Sequence, residues 1–283
     1  MKVGVLNQFV CPACHFQLGV IIHKKVKERV LDGEFQCKSC NKKFTIKQGI
    51  ACFVSYCVEP TERSTKNLRK IILKQEVSKK WMNLFSQQEL KALKEEWEWM
   101  ISSIKNNKNT VHLDFATGTG RFLRNIVSKT KGEVVVLEHD YSTCRELQYF
   151  LKKIKKYSKV SIVCADARNM PFKNETFDSI STWHGLDEPK MEKAIEETQR
   201  VLKKGGFFVA SGIHYLKNSK SFQRAKKHHI NFLTKEKTIK ILQDAGFRHI
   251  EHKIFYEGQW NERGDYLPVF NDWYISYAVK CQK

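Results

Sequence analysis

Four cysteines fall into two close pairs, Cys11 with Cys14 in "CPACH" and Cys37 with Cys40 in "CKSCN". Each pair can chelate one metal from a tight turn, and two turns complete a tetrahedral thiolate site. The spacing therefore predicts a structural Zn²⁺ on Cys11, Cys14, Cys37 and Cys40, with redox chemistry as the competing use. The chain has nine cysteines, an odd number that argues against a complete disulfide framework. Cys52, Cys57, Cys144, Cys164 and Cys281 lack a paired spacing and read as buried free thiols.

A second set of residues suits a small cationic ligand. "VHLDFATGTGRFL" reads as a strand that ends in Asp114, passes through Ala116, Gly118 and Gly120, and becomes a helix. Backbone N–H groups at a helix start attract anions, yet a carboxylate stands beside them, which a diphosphate would not tolerate. A dinucleotide fingerprint would need a third glycine at 123, where Leu123 stands. The next two strand-like runs end in carboxylates as well, Glu138 and Asp140 in "EVVVLEHD" and Asp166, followed by Ala167, in "VSIVCAD". A carboxylate at the second strand can accept from both hydroxyls of a ribose. At the third, a carboxylate and the N–H that follows can meet the amine and ring nitrogen of adenine. Each aspartate taken alone reads equally as a helix cap or a solvated loop residue.

These residues need a scaffold that brings strand ends together. From 110 onward apolar strands alternate with helical stretches: helices near 120–129, 143–156, 190–202 and 234–245 sit between "TVHLDF", "EVVVLEHD", "VSIVCAD", "FDSISTW" and "GFFVASGI". Two C-terminal strands, "IEHKIFYEG" and "WYISYAVK", follow. Such alternation predicts an α/β fold, an open, mostly parallel sheet with helices on both faces, binding its ligand beyond the strand ends at the switch point. Ahead of it, residues 1–58 read as a small β-rich zinc ribbon whose hairpin turns at Asp32-Gly33. Residues 59–109 read as a helical linker with Leu84, Phe85, Leu90, Leu93, Trp97 and Ile101 at helical spacing. Trp97 and Trp99 suit a core or a ligand surface, and residues 110–283 form the large domain.

Three carboxylate-bearing strand ends, a bare glycine turn and no cluster of Arg or Lys for phosphate suit an adenosine with a cationic tail, as in S-adenosylmethionine. The ordered stretches "LDFATGTGRFL", "EHDYSTCREL", "CADARNMPFKNETFDSIST" and "AIEETQRVLKKGGFF" resemble class I, type-11 methyltransferases with a Rossmann-like sheet. The "ATGTG" form is similar to that of the quinone-biosynthesis members. The resemblance spans about residues 111 to 213 and places donor contacts on Asp114, Ala116, Gly118, Gly120, Asp140, Asp166 and Ala167. Asp140-Tyr141-Ser142 matches the family's acidic signature better than Glu138, which stays a second candidate. Residues 5–54 resemble the zinc-binding activator subunit of tRNA and release-factor methyltransferases, and the zinc ribbon of ribosomal-RNA guanine methyltransferases. The shared features are the cysteine pairs, Phe44 and a "GI-x-x-F" strand, with Ala51 where those families have proline.

Methyl transfer needs a general base only when the acceptor must lose a proton. His184 in "TWHGLDEP", beside Trp183 and Asp187, is the candidate, and a structural histidine is the plainer reading. No Asn-Pro-Pro-Tyr motif follows the fourth strand, against adenine or glutamine N-methylation in the families that use it. The net charge of +20 favours a polyanion partner, and the insertion "HYLKNSKSFQRAKKHHINFLTK" interleaves basic and aromatic residues. The leading expectation is methylation of a base in structured ribosomal or transfer RNA; a small-molecule acceptor is the alternative, and a non-catalytic partner or scaffold the third reading. The absence of an eighteen-residue apolar run or a secretory leader predicts a cytoplasmic chain without membrane insertion.

Overall fold

The computed structural model describes residues 1–54, 85–261 and 267–283. Its frame is one eleven-stranded sheet in the order β1-β2-β3-β4-β7-β6-β5-β8-β9-β11-β10. The strands are β1 Leu18–Val26, β2 Arg29–Cys37, β3 Lys43–Lys47, β4 Ile50–Cys52, β5 Val111–Phe115, β6 Glu133–Glu138, β7 Val160–Cys164, β8 Phe177–Trp183, β9 Leu202–Tyr215, β10 Arg248–Gln259 and β11 Trp273–Gln282. Strands β7, β6, β5, β8 and β9 are parallel, while β11 runs antiparallel to both β9 and β10. The inner strands are buried on both faces, as a sheet covered by helices on two sides requires, and β6 is apolar along Val134–Leu137. The chain leaves β5 to build outward through β6 and β7, then returns to β8, so the order reverses beside β5 and opens a crevice at the strand ends.

The helices are α1 Gln87–Ser102, α2 Leu123–Lys129, α3 Tyr141–Lys153, α4 Glu192–Val201, α5 Lys220–Lys227 and α6 Lys235–Asp244. Helix α1 starts with a capping box, Ser86 accepting from the Glu89 N–H while the Glu89 carboxylate accepts from the Ser86 N–H. Trp97 packs edge-on to Trp183 and tilts against Phe122, and Trp99 meets Phe255 edge-on, so both work as core contacts. The expected helical positions Phe85, Leu90, Leu93 and Ile101 lie in or beside α1; Leu84 falls outside the described residues.

The cysteine-rich region is joined to the large sheet. β4 runs parallel to β7, with Ile50 opposite Ile162 and Cys52 opposite Cys164. Phe9 stacks on Phe172 at 5.4 Å and meets Phe35 edge-on at 5.3 Å, and Phe172 continues to Phe177 at 4.8 Å. One buried cluster thus runs from Phe35 and Ile46 through Phe9 to Phe115 and Phe208. The hairpin turn differs from the sequence expectation. It lies at Lys27-Glu28, between Val26 and its partner Arg29, and Lys27 has φ 51°. Gly33 is inside β2 instead, where an added Cβ would lie 2.6 Å from the Ile21 carbonyl oxygen. Glycine there answers a close backbone approach, which in sequence looks the same as a turn.

Candidate functional site

The loop after β5 is built on left-handed backbone: Ala116 has φ 50°, Gly118 54° and Gly120 86°. An added Cβ on Gly118 would meet nothing within 4 Å, whereas one on Gly120 would lie 2.6 Å from Leu147 Cδ1 in α3. Gly118 keeps the loop's surface bare, and Gly120 lets the loop close onto the helix behind it. Two buried carboxylates hold the loop from below. Glu138 Oε2 accepts from the Gly118 N–H at 2.9 Å, and Oε1 accepts from the His139 and Asp140 N–H groups. Burial alone would raise the Glu138 pKa; the hydrogen bonds from His139, Asp140 and Gly118 outweigh it and hold it below the ordinary value.

Asp114, 2% exposed, accepts from Ser181 Oγ at 2.5 Å and Thr117 Oγ1 at 3.0 Å. Ser181 also meets His112 Nε2 at 2.9 Å, and Ser179 meets His112 Nδ1 at 2.9 Å, so a hydrogen-bonded chain crosses from β8 to β5 beneath the loop. Burial pushes Asp114 up to about 7, against its two hydroxyl donors, and pushes His112 down to about 3. Asp114 therefore supports the loop from within the core.

Two cavities open on either side of the segment 183–189 that follows β8. The smaller, about 270 Å³, is lined by Ala116, Leu137, His139, Asp166, Ala167, Arg168 and Met191, among others. It brings together two strand ends that the sequence pointed to, that of β5 at Ala116 and that of β7 at Asp166 and Ala167. Asp166 is paired with Arg168, whose Nη2 lies 2.7 Å from Oδ2, and this ion pair holds its pKa below the ordinary value against the opposing effect of burial. Asp140 does not line this cavity. Its carboxylate caps α3, accepting from Ser142 Oγ and the Thr143 N–H at 2.6 Å.

The larger cavity, about 390 Å³, is mostly apolar and is lined by residues of α1 (Glu89, Ala92, Leu93, Glu96), by Trp183, Ile213 and Tyr215 at the ends of β8 and β9, by Tyr256 and Tyr274, and by Trp260 and Leu267. His184 stands at its wall with φ 62°. His184 Nδ1 lies 2.7 Å from Asp187 Oδ2, and Asp187 Oδ1 accepts from the Ile213 N–H at 3.2 Å. Burial would lower the His184 pKa, but the hydrogen bond and charge of Asp187, with the charge of Glu96, raise it above the ordinary histidine value.

Sequence reasoning missed Glu96. It is buried at 2% exposure and accepts from Trp183 Nε1 at 2.9 Å and Ser276 Oγ at 2.7 Å; burial raises its pKa. In "LKEEWEW" it is one acid among several on a charged helix, and nothing in the sequence marks the one that faces inward. Gly185 was missed too. An added Cβ there would lie 2.1 Å from Thr182 Oγ1 and 2.8 Å from the Ala116 Cβ, so this glycine lets the 183–189 segment lie against the glycine loop.

Residues 113–206, the stretch that carries the loop, the strand ends and His184, match the family described as "Methyltransferase domain". The chain carries an S-adenosylmethionine-dependent methyltransferase domain. The methyltransferase is 22% identical over 277 residues to an uncharacterized chloroplastic methyltransferase of Arabidopsis thaliana, a match covering 90% of this chain and 77% of that one. It is 25% identical over 188 residues to a demethylmenaquinone methyltransferase of Staphylococcus carnosus, covering 56% of this chain and 76% of the other. Its fold superposes on a phosphoethanolamine N-methyltransferase of Haemonchus contortus in complex with S-adenosyl-L-methionine, with TM-score 0.54 at 16% identity, covering 67% of this chain and 52% of that one. The scaffold is thus a Rossmann-like methyltransferase sheet, with S-adenosylmethionine as its methyl donor.

The four paired cysteines also converge. The Sγ atoms of Cys11, Cys14, Cys37 and Cys40 all lie within 4.8 Å of one another, with Cys11–Cys40 at 3.6 Å and Cys14–Cys37 at 3.4 Å. A tetrahedron with metal–sulfur bonds of about 2.3 Å has edges of about 3.8 Å, so this donor set fits Zn²⁺. The Ser39 and Cys40 N–H groups point at Cys37 Sγ, as they do around thiolate ligands. Among the described residues no helix is long and apolar enough to cross a membrane.

Proposed function

We propose that this methyltransferase acts on a small, largely apolar acceptor with a flat ring and an ionisable hydroxyl, of the quinol type. The observation that carries the reading is the 390 Å³ cavity of tryptophan, tyrosine and aliphatic side chains at the ends of β8 and β9, beside His184. The demethylmenaquinone methyltransferase among its relatives fits the same class of acceptor. The basic residues that favoured RNA do not line that cavity: Lys220, Lys226 and Lys227 of α5 are exposed, and Arg121 is its one arginine or lysine among the described residues. The net charge of +20 is what still favours a base of ribosomal or transfer RNA as the second reading.

In the proposed arrangement Ala116, Gly118, Gly120, Asp166 and Ala167 would hold S-adenosylmethionine, which when bound would supply an electrophilic methyl group on a neutral leaving group. The bare turn allows close backbone approach, and Asp166 with the Ala167 N–H faces the adenine edge. Glu138 and Asp140, at the end of β6, would lie on the ribose side, while Asp114 supports the loop from below. His184, oriented by Asp187, takes the acceptor's hydroxyl proton. Loss of that proton raises electron density on the ring carbon to be methylated, and the apolar walls keep that carbon aligned and dry. Cys11, Cys14, Cys37 and Cys40 hold a structural Zn²⁺ that keeps the two turns folded against β2 and β3. In this reading residues 1–58 act as a brace, 59–109 as a connector and 110–283 as the catalytic domain.

The test uses methyl-labelled donor with the purified protein and, separately, demethylated quinols and total cellular RNA. Label on the quinol fraction supports the reading. Label confined to RNA overturns it in favour of the second, and a protein that binds the donor and labels neither leaves the scaffold reading in its place.

A further inference from the structure

We propose that strand β1 and the turn before it dock the protein on an anionic lipid surface. Ten large hydrophobic side chains among the described residues are strongly exposed, and five of them, Phe16, Val20, Ile21, Ile22 and Val26, lie within eleven consecutive positions. Phe16, Ile21 and Val26 are each about half exposed, at 51%, 50% and 51%. Scattered single exposed apolar residues need no explanation, but a run of them along one edge strand does, with Val20 and Ile22 on one face and Ile21 on the other. β1 is also the outermost strand of the sheet.

The charges around this strip say what covers it. Residues 16–27, "FQLGVIIHKKVK", hold Lys24, Lys25 and Lys27, all exposed, and no carboxylate. The nearby carboxylates are Glu28, exposed beside Lys27 in the turn, and from β2 Asp32, the cross-strand partner of Lys24, and Glu34, which is paired with Lys43 at 3.0 Å, so the lysines keep a positive balance only towards the strand's Lys24-Lys25 stretch. A second copy pairing edge to edge would bring like ammonium groups together, which is how natural sheets discourage such pairing. Unpaired RNA bases need aromatic faces or guanidinium planes to stack on, and this strip offers mainly branched aliphatic side chains and lysines, with Phe16 and His23 at separate points as its rings. Aliphatic side chains beside ammonium groups match a bilayer with negative headgroups, and two weak signals of this kind add to a useful surface affinity. The net charge of +20 steers the whole molecule the same way. This inference does not depend on the identity of the acceptor.

The experiment is co-sedimentation of the full metal-loaded protein with phosphatidylcholine vesicles, with and without phosphatidylglycerol. The expected result is binding to the anionic vesicles only, weakened by salt. Lys24→Ala with Lys25→Ala should lower the partition coefficient roughly thirtyfold. Ile21→Ser with Ile22→Ser should lower it as well, while both double variants keep the wild-type melting temperature and donor affinity. Wild-type protein that stays in the supernatant with both vesicles overturns the proposal. So does anionic binding that neither double variant weakens, or a dimer that the isoleucine pair dissolves in the absence of vesicle binding.

Discussion

At the scale of single residues, His184 combines a left-handed backbone, a cavity wall and a carboxylate partner. Non-glycine residues in that conformation are costly, and such outliers gather at functional sites. In the proposed mechanism His184 acts as the base when deprotonated, and Asp187 lifts its pKa above the histidine reference of 6.5. The rate should therefore rise with pH through a value above 6.5, and His184→Gln should remove that limb and lower kcat by about a hundredfold or more, while donor affinity measured by calorimetry stays the same. Stability follows a different set of groups. His112 and His214 are both pushed down to about 3 by burial, His214 also by the charge of His252, so between pH 6.5 and 4 the unfolded chain binds two protons that the folded one refuses. Asp114, raised to about 7 from 3.8, opposes them, because over the same interval the folded state keeps a proton that the unfolded state releases. The buried Met1 amine, pushed down to about 4 by burial, sides with the two histidines, so the folded state should lose stability as pH falls from 6.5 to 4. Thermal melts across that range check it, and His112→Asn should flatten the slope.

At the scale of elements, the turn from β5 to α2 depends on Gly120, whose missing side chain faces Leu147 of α3 and whose φ of 86° disfavours any other residue. Gly120→Ala should cost roughly 1–3 kcal/mol in chemical denaturation and weaken donor binding more than tenfold, since clash and left-handed strain act together. The donor loop was legible as a sequence because glycine spacing and strand-end carboxylates lie close together in the chain. Its supports were not. Ser179 and Ser181 are sixty-odd positions from His112 and Asp114, and only the pairing of β5 with β8 brings them into contact. The same holds for Asp140, which sits where the second strand ends yet turns its carboxylate to the cap of α3, while Glu138 reaches the Gly118 N–H.

At the scale of the whole molecule, the cysteine-rich region and the large sheet share one hydrophobic cluster and a strand pair, so metal loss should not stay local. Cys11→Ser or chelation should lower the melting temperature of the entire protein in a single transition, with a loss of at least about 3 kcal/mol, checked by circular dichroism with zinc content measured in parallel. Two separated transitions, with the large domain melting as before, would contradict this coupling. Donor binding should act in the opposite sense. At a hundredfold excess over Kd it adds about 2.7 kcal/mol to the folded state, visible as a melting shift of several degrees.

By itself the sequence determined the local chemistry: two cysteine pairs at chelating distance, a bare loop between strand and helix, acidic strand ends in order, and an alternation of elements that admits one kind of sheet. These are read from neighbours along the chain, where spacing and geometry are nearly the same thing. Tertiary structure decided what lies between distant segments. It turned one glutamate of a charged helix, Glu96, into a buried acceptor for Trp183 and Ser276, closed Gly185 against Ala116, and assembled the larger cavity from α1, β8, β9 and the C-terminal strands. It also made the cysteine-rich region part of the main sheet. A cavity and an inward-facing charge are products of packing across long separations, and no local pattern records them.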